Sequence, residues 1–247
     1  MATYCISDIH GRVDAFVDML HKIDFKYDGT DRLIIMGDMV DWGDRNIETL
    51  CYCKELDKYD FVDVLMGNHD HMMLKAIVNA TLEERQNIYM DMWMQNGGNS
   101  TLTEYLDLSG EQKRTLLSWL MRLKYYVDDL EVGGRKFYVT HSSPCEPIEE
   151  IDEQYHQTMF EDMIWDRVRK GDNQIRRVLG NNEKILVHGH TITGYYNSYN
   201  EDGKCEVYMD LENQRIAIDC GCKVLGIHDY GRLACIRLDD LEVFYTE

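Results

Sequence analysis

An α/β fold is predicted by three observations. Apolar runs of strand length alternate with segments of helical periodicity through the first third of the chain. Each of these runs stops in a glycine-bearing loop that also carries Asp, His or Asn. The last third returns to short strands separated by turns. The pattern is fullest in Leu33-Ile34-Ile35-Met36-Gly37-Asp38-Met39-Val40-Asp41-Trp42-Gly43, where an apolar run ends in glycine and two carboxylates follow three residues apart. A buried strand that ends in acids suits an edge facing a cation or a reacting group.

Taken in order, Thr3 to Ile6 reads as the first strand and leads into Ser7-Asp8-Ile9-His10-Gly11. Asp8 and His10 are two apart, so in extended geometry both side chains point the same way. Val13, Phe16, Val17 and Leu20 then recur at helical spacing. After the second strand, Asn46 to Lys58 reads as a helix with Ile47, Leu50 and Leu56 on its apolar face. Phe61 to Met66 is a third strand, ending in Gly67-Asn68-His69-Asp70. The alternation favours a parallel sheet whose loops gather at one edge.

Thr81 to Tyr126 is dominated by helical patterns, and capping boxes are expected at Thr81-x-x-Glu84, Thr101-x-x-Glu104 and Ser109-x-x-Gln112. Asn96-Gly97-Gly98-Asn99 interrupts the region. It is expected to be a helical cap, at about 80–126, inserted into one domain spanning 1–247. Gly133-Gly134 predicts a hairpin between Tyr125–Val132 and Lys136–Thr140, the second arm running into His141-Ser142-Ser143. A polar helix is expected over roughly Glu149 to Arg169, then a strand at Lys184 to Val187 ending in His188-Gly189-His190-Thr191. From Glu206 to Glu247, with turns at Glu212-Asn213 and Asp239-Asp240, antiparallel strands of a second sheet are expected.

The 247 residues carry a formal net charge of −19. Such a surface repels phosphate backbones and disfavours duplex nucleic acid, so an anionic substrate needs a local positive charge, which bound metal ions supply. No apolar run is long enough for a bilayer and the start reads as a strand, not a basic leader, so a cytoplasmic protein with no membrane partner is expected. The eight scattered cysteines read as free thiols, since Cys-x-Cys is tighter than a zinc knuckle.

Five apolar runs thus end in Asp8/His10, Asp38/Asp41, Asn68/His69, His141 and His190. These are hard to borderline ligands, suited to Mn, Fe or Zn. Asp8, His10, Asp38, Asn68, His141 and His190 fit two ions that share one carboxylate, a device for clamping and attacking a phosphoryl group. Asp8-Ile9-His10-Gly11, Gly37-Asp38-Met39-Val40-Asp41, Gly67-Asn68-His69-Asp70, His141 and Gly189-His190-Thr191 resemble the signature of the calcineurin-like metallophosphoesterases. Trp93-x-x-Asn96-Gly97-Gly98 and Ile218-Asp219-x-Gly221 resemble, more narrowly, the bacterial and phage phosphoprotein phosphatases, a branch that includes symmetrical diadenosine tetraphosphatases. The resemblance covers nearly the whole chain. It implies two mixed β-sheets packed as a sandwich flanked by helices, with a dinuclear centre at the strand ends. Asp8, His10 and Asp38 would hold one ion. Asp38 would bridge to a second held by Asn68, His141 and His190. A metal-bridging hydroxide would attack phosphorus, with His69 as general acid oriented by Asp41. Manganese is the favoured metal, with iron or zinc as alternatives.

The chain departs from that pattern at Trp42, where family phosphatases carry a phosphate-gripping arginine that tryptophan cannot replace. Arg45, three residues on, is a candidate substitute or a solvated charge. Arg167, in Ile164-Trp165-Asp166-Arg167, is the favoured phosphate clamp. Ser142 and Ser143 offer hydroxyls near the metals, His188 is expected to be structural, and Tyr195, Tyr196 and Tyr199 are candidates for a substrate rim or for packing. The resemblance implies a serine/threonine-type protein phosphatase acting on a phosphorylated protein or small phosphoester. The alternatives are a dinucleoside polyphosphate hydrolase and a non-catalytic metal-binding module.

Overall fold

In a computed structural model of the chain, which describes residues 1–81, 88–145, 153–169, 174–180 and 183–246, the apolar runs form two five-stranded sheets. The first third is β1 (Thr3–Ile6), α1 (Val13–Lys22), β2 (Arg32–Ile35), α2 (Asn46–Leu56), β3 (Val62–Val64) and α3 (Asn68–Thr81). Helices α4 (Ile88–Gln95), α5 (Gly98–Leu106) and α6 (Gly110–Leu120) follow, then the hairpin β4 (Tyr126–Val132) and β5 (Arg135–Thr140). Next come α7 (Glu153–Trp165), α8 (Gln174–Leu179), β6 (Ile185–His188), β7 (Tyr208–Asp210), β8 (Arg215–Ala217), β9 (Leu233–Arg237) and β10 (Glu242–Thr246).

One sheet has the order β10-β9-β1-β2-β3 and the other β4-β5-β6-β8-β7. Strands β1, β2 and β3 are parallel, as are β5, β6 and β8, so their C-terminal ends line up at one edge of each sheet. Period-two alternation explains why these strands are apolar throughout: both faces are covered. Cys5, Ile34, Met36 and Ile236 of one sheet pack on Phe137, Val139, Val187 and Ile216 of the other. On the outer face of the first sheet, Tyr4, Ile6, Leu33 and Ile35 pack on Phe16, Leu50 and Met73. Tyr138 and Leu186 meet Met163, Ile175 and Leu179 of α7 and α8. The expected sandwich of two mixed sheets flanked by helices is therefore present.

The tail corrects part of the expectation. Only β7 and β8 join the second sheet, and β8 lies parallel to β6. Strands β9 and β10 return to the first sheet, where β9 pairs antiparallel with β1. They cover an edge of β1 that would otherwise expose unpaired backbone groups. Of the predicted capping boxes, Ser109–Gln112 forms, with both reciprocal bonds, and Thr101–Glu104 does not. Thr101 lies inside α5, which starts after Gly97, and Thr81 ends α3, while Glu84 falls outside the described residues. The early part of the predicted Glu149–Arg169 helix also falls outside them. No helix among the described residues is long and apolar enough to cross a membrane.

Candidate metal centre

Sharp loops follow β1, β2 and β6, and their backbone is strained. Among the described residues, ten non-glycine positions have positive φ, and six of them are Asp8, His10, Asp38, Asp41, Trp42 and His190. Such conformations cost about 1–3 kcal/mol each and persist only where the surroundings over-determine them. Several bonds do that here. His10 N–H donates to the Asp38 carbonyl (2.9 Å) and Gly11 N–H to the Met39 carbonyl (2.8 Å). Asp70 joins the loops after β2 and β3, accepting from Met39 N–H (2.9 Å) and Gly67 N–H (3.0 Å). Burial, with the neighbouring Asp38 charge, raises the Asp70 carboxyl to about 8. Those loops touch backbone to backbone, since a Cβ on Gly37 would sit 2.4 Å from the Gly67 nitrogen.

Asp38 is the focus of the site. His10 Nε2 lies 3.6 Å from Asp38 Oδ2, and His141 Nε2 lies 3.4 Å from Asp38 Oδ1. Two groups of ligand atoms, each close enough to share an ion, meet at this carboxylate: His10, Asp38 and His69, and Asp38, His141 and His190. Asn68 Oδ1 joins the second group, 3.0 Å from His141 Nε2 and 2.9 Å from His190 Nδ1. Asp8 stands beside His190, accepting its backbone N–H at 3.1 Å, and also receives the Ser7 hydroxyl. The expected ligands therefore come from five strand ends to one buried place, although Asp8 belongs to neither group and His69 falls within the first.

The donor set fits divalent first-row ions. His10 Nδ1 lies 2.9 Å from the Val40 carbonyl and His141 Nδ1 2.9 Å from the Met36 carbonyl, so each ring donates there and turns Nε2 inward as a free lone pair. Burial holds His10 neutral, its pKa lowered to about 3, and His190 likewise, at about 2. Burial opposes ionisation of Asp38, but the positive charge of the imidazoles around it, His141 and His69 foremost, outweighs it and keeps the carboxyl below its usual range. Asp8 is pushed well up by burial and by the charges of Asp219 and Asp38. Crowded buried carboxylates beside neutral imidazoles are stabilised by cations.

One side of this centre is closed. His69 Nδ1 is 2.8 Å from Asp41 Oδ2. Asp41 is fully buried, and both of its oxygens receive the Trp93 indole N–H, at 3.1 and 3.0 Å, while the Thr101 hydroxyl donates to Oδ1 at 2.6 Å. Burial lowers the His69 pKa, but Asp38 and Asp41 outweigh it and leave the ring easier to protonate than usual.

The other side is open. Arg167 follows α7 and donates to the His190 carbonyl (3.3 Å) and the Thr191 hydroxyl (3.2 Å). Its segment is pinned from several directions: Ser142 Oγ donates to the Asp166 carbonyl, Tyr196 Oη to the Val168 carbonyl (2.8 Å), and buried Arg215 to the Val168 and Arg169 carbonyls (3.0 and 2.9 Å). Arg45 is placed elsewhere. It is paired with Asp14 and Glu48 on an exposed surface, and the structure does not bring it to the centre. Trp42 is half exposed, its ring lying over Gly97. His188 is buried with Nε2 accepting from Arg215 Nε at 3.1 Å, the structural place expected for it.

Residues 1–224 match the family described as calcineurin-like phosphoesterase. The chain belongs to that family. A symmetrical bis(5'-nucleosyl)-tetraphosphatase of Escherichia coli O1:K1 / APEC is 31% identical over 142 residues, covering 58% of this chain and 43% of that protein. The chain thus matches less than half the length of this curated relative. A serine/threonine phosphatase of Saccharomyces cerevisiae with similarity to human phosphatase PP5 shares the fold, with TM-score 0.61 and 13% identity over 100% of this chain and 79% of that one. So does a cold-active protein tyrosine phosphatase, with TM-score 0.59 and 19% identity over 99% and 78%.

Within this calcineurin-like phosphoesterase, several site residues escaped the sequence reading. Thr101 and Glu104 share the spacing of a capping box, yet one bonds Asp41 and the other caps α2, its oxygens accepting from Asn46 N–H (3.1 Å) and Ile47 N–H (2.8 Å). Trp93 was visible as a motif without a role. Arg215 and Lys223 carried no local signal at all.

Proposed function

We propose that this chain is a dinuclear-metal phosphoesterase, and the observation that carries the reading is Asp38, on which two ligand groups converge. His10 and Asp38 with Asp8, and Asp38, Asn68, His141 and His190, would hold the ions. Bound there, divalent cations would supply Lewis acidity toward a phosphoryl oxygen and make a water acidic near neutral pH.

The chain's own residues account for the remaining steps. Asp41 fixes His69 Nδ1–H, so the proton for the departing oxygen sits on Nε2, the nitrogen 4.0 Å from Asp38 Oδ2 and thus facing the centre. Arg167 brings a permanent charge to the rim beside His190, where it offsets negative charge on the phosphate. A non-catalytic scaffold has no use for a histidine held by a carboxylate that is itself held by Trp93 and Thr101.

For the substrate, the first reading is a phosphoserine or phosphothreonine protein. A dinucleoside polyphosphate is the second, favoured by a tyrosine-lined cavity beside His190 and by the printed activity of the aligned relative. Initial rates of the manganese-loaded chain on a phosphoserine peptide, a phosphotyrosine peptide and diadenosine tetraphosphate decide the order. No turnover of any of them, with two metals bound, would overturn the enzymatic reading.

A further inference from the structure

Beside His190 lies a cavity of about 480 Å³, lined by Arg167, Lys223, Tyr195, Tyr199 and Tyr230 among others. That volume exceeds what a single phosphate needs and lies in the range that holds drug-sized ligands. Two of its walls are unusual for a chain with net charge −19. Lys223 sits in a short 3-10 turn, Cys222–Val224, that follows Gly221 in the left-handed conformation. It forms neither an ion pair nor a hydrogen bond among the described residues, although its charge reaches Asp219, Asp8, His10 and His69. Among the described residues, Arg167 bonds neutral oxygens, the His190 carbonyl and the Thr191 hydroxyl. Two cations that have no carboxylate partner among the described residues therefore face one space.

The aromatic wall is equally specific. Tyr195 is 65% exposed and Tyr199 47%, so neither ring is spent on the core, whereas Tyr196 between them is buried and stacks on Arg215 at 4.3 Å. His228 stacks on Tyr230 at 5.3 Å and 9°, which steadies that ring at the cavity wall. Exposed tyrosine faces next to unpaired cations suit a flat aromatic ring joined to further phosphate.

We propose that Lys223, Arg167 and the Tyr195/Tyr199/Tyr230 wall form a leaving-group subsite, which selects phosphoesters whose leaving group carries a second phosphate and an aromatic base. The proposal rests on the phosphoesterase reading and, within it, favours the dinucleoside polyphosphate over the phosphoprotein. Lys223 takes the second phosphate and the tyrosines take the base. A phosphoserine peptide would leave both unsatisfied.

The test uses binding, so that it does not depend on turnover. The manganese-loaded chain is titrated calorimetrically with α,β-methylene-ADP, with methylenediphosphonate, with inorganic phosphate and with a phosphoserine peptide. The nucleotide analogue is expected to bind at least tenfold tighter than the bare diphosphonate, and Y195A/Y199A to narrow that gap. Lys223→Ala should weaken both diphosphonates about tenfold relative to phosphate, and Lys223→Arg should restore most of the loss. An analogue that binds no tighter than methylenediphosphonate, a Lys223→Ala effect equal on all three anions, or tighter binding of the peptide would overturn the subsite. Hydrolysis without this pattern would leave the phosphoesterase reading standing alone. The pattern without any hydrolysis would do the reverse.

Discussion

The two sides of the centre are built on opposite physical terms. Around Asp41, a carboxylate with no exposure is held by an indole, a hydroxyl and an imidazole, all within 3.1 Å. Around Arg167 and Lys223, the charges meet a cavity and neutral carbonyls. A buried carboxylate left unsatisfied is expensive, so the closed side tolerates little variation in geometry. Exposed cations and tyrosines are cheap to change, so the open side is where substrate choice can vary without endangering the fold. On the proposed reading, the chemistry would sit on the first side and the selectivity on the second.

The largest test of that division is Asp38→Asn. With the shared carboxylate gone, metal analysis should find fewer than two ions per chain, and hydrolysis should fall by ~10³-fold or more. Two retained ions would refute its shared position. His69→Ala comes next: kcat for alkyl phosphoesters should drop by ~10²–10⁴-fold, less for p-nitrophenyl phosphate, whose leaving group needs no proton, with both metals retained. A uniform loss across leaving groups would remove the acid role.

On the open side the expected changes are smaller. Arg167→Ala should raise KM about tenfold, equivalent to about 1.4 kcal/mol, whereas Arg45→Ala should not, since its partners are Asp14 and Glu48 at the surface. Equal effects would erase the distinction between the two arginines. Thr101→Val measures the closed side in stability: leaving Asp41 Oδ1 short of a donor should cost about 1–3 kcal/mol in urea unfolding of the metal-loaded chain. A change near zero would mean that Trp93 alone satisfies that oxygen.

Much of this was legible in the chain itself, and for a local reason. Asp8, His10, Asp38, Asn68, His141 and His190 each follow an apolar run directly, and parallel strands bring such ends to one edge whatever the intervening sequence. Features that depend on which surfaces meet were not legible. Thr101 and Glu104 are identical in spacing to a helix-capping pair, and only the approach of α5 to the β2 loop and to α2 turns them toward Asp41 and toward the first amides of α2. The tail reads as hairpins in either sheet, and the uncovered edge of β1 decides where β9 and β10 go.

Sequence alone determined the candidate ligand types, the loops that carry them and the pairing of apolar strands with helices, because these follow from patterns a few residues long. Only the tertiary structure decided that Arg167, rather than Arg45, stands beside His190, and that Lys223 and three tyrosines share its cavity. Those residues are brought together by packing between segments distant in the chain, and no short-range periodicity records such a meeting.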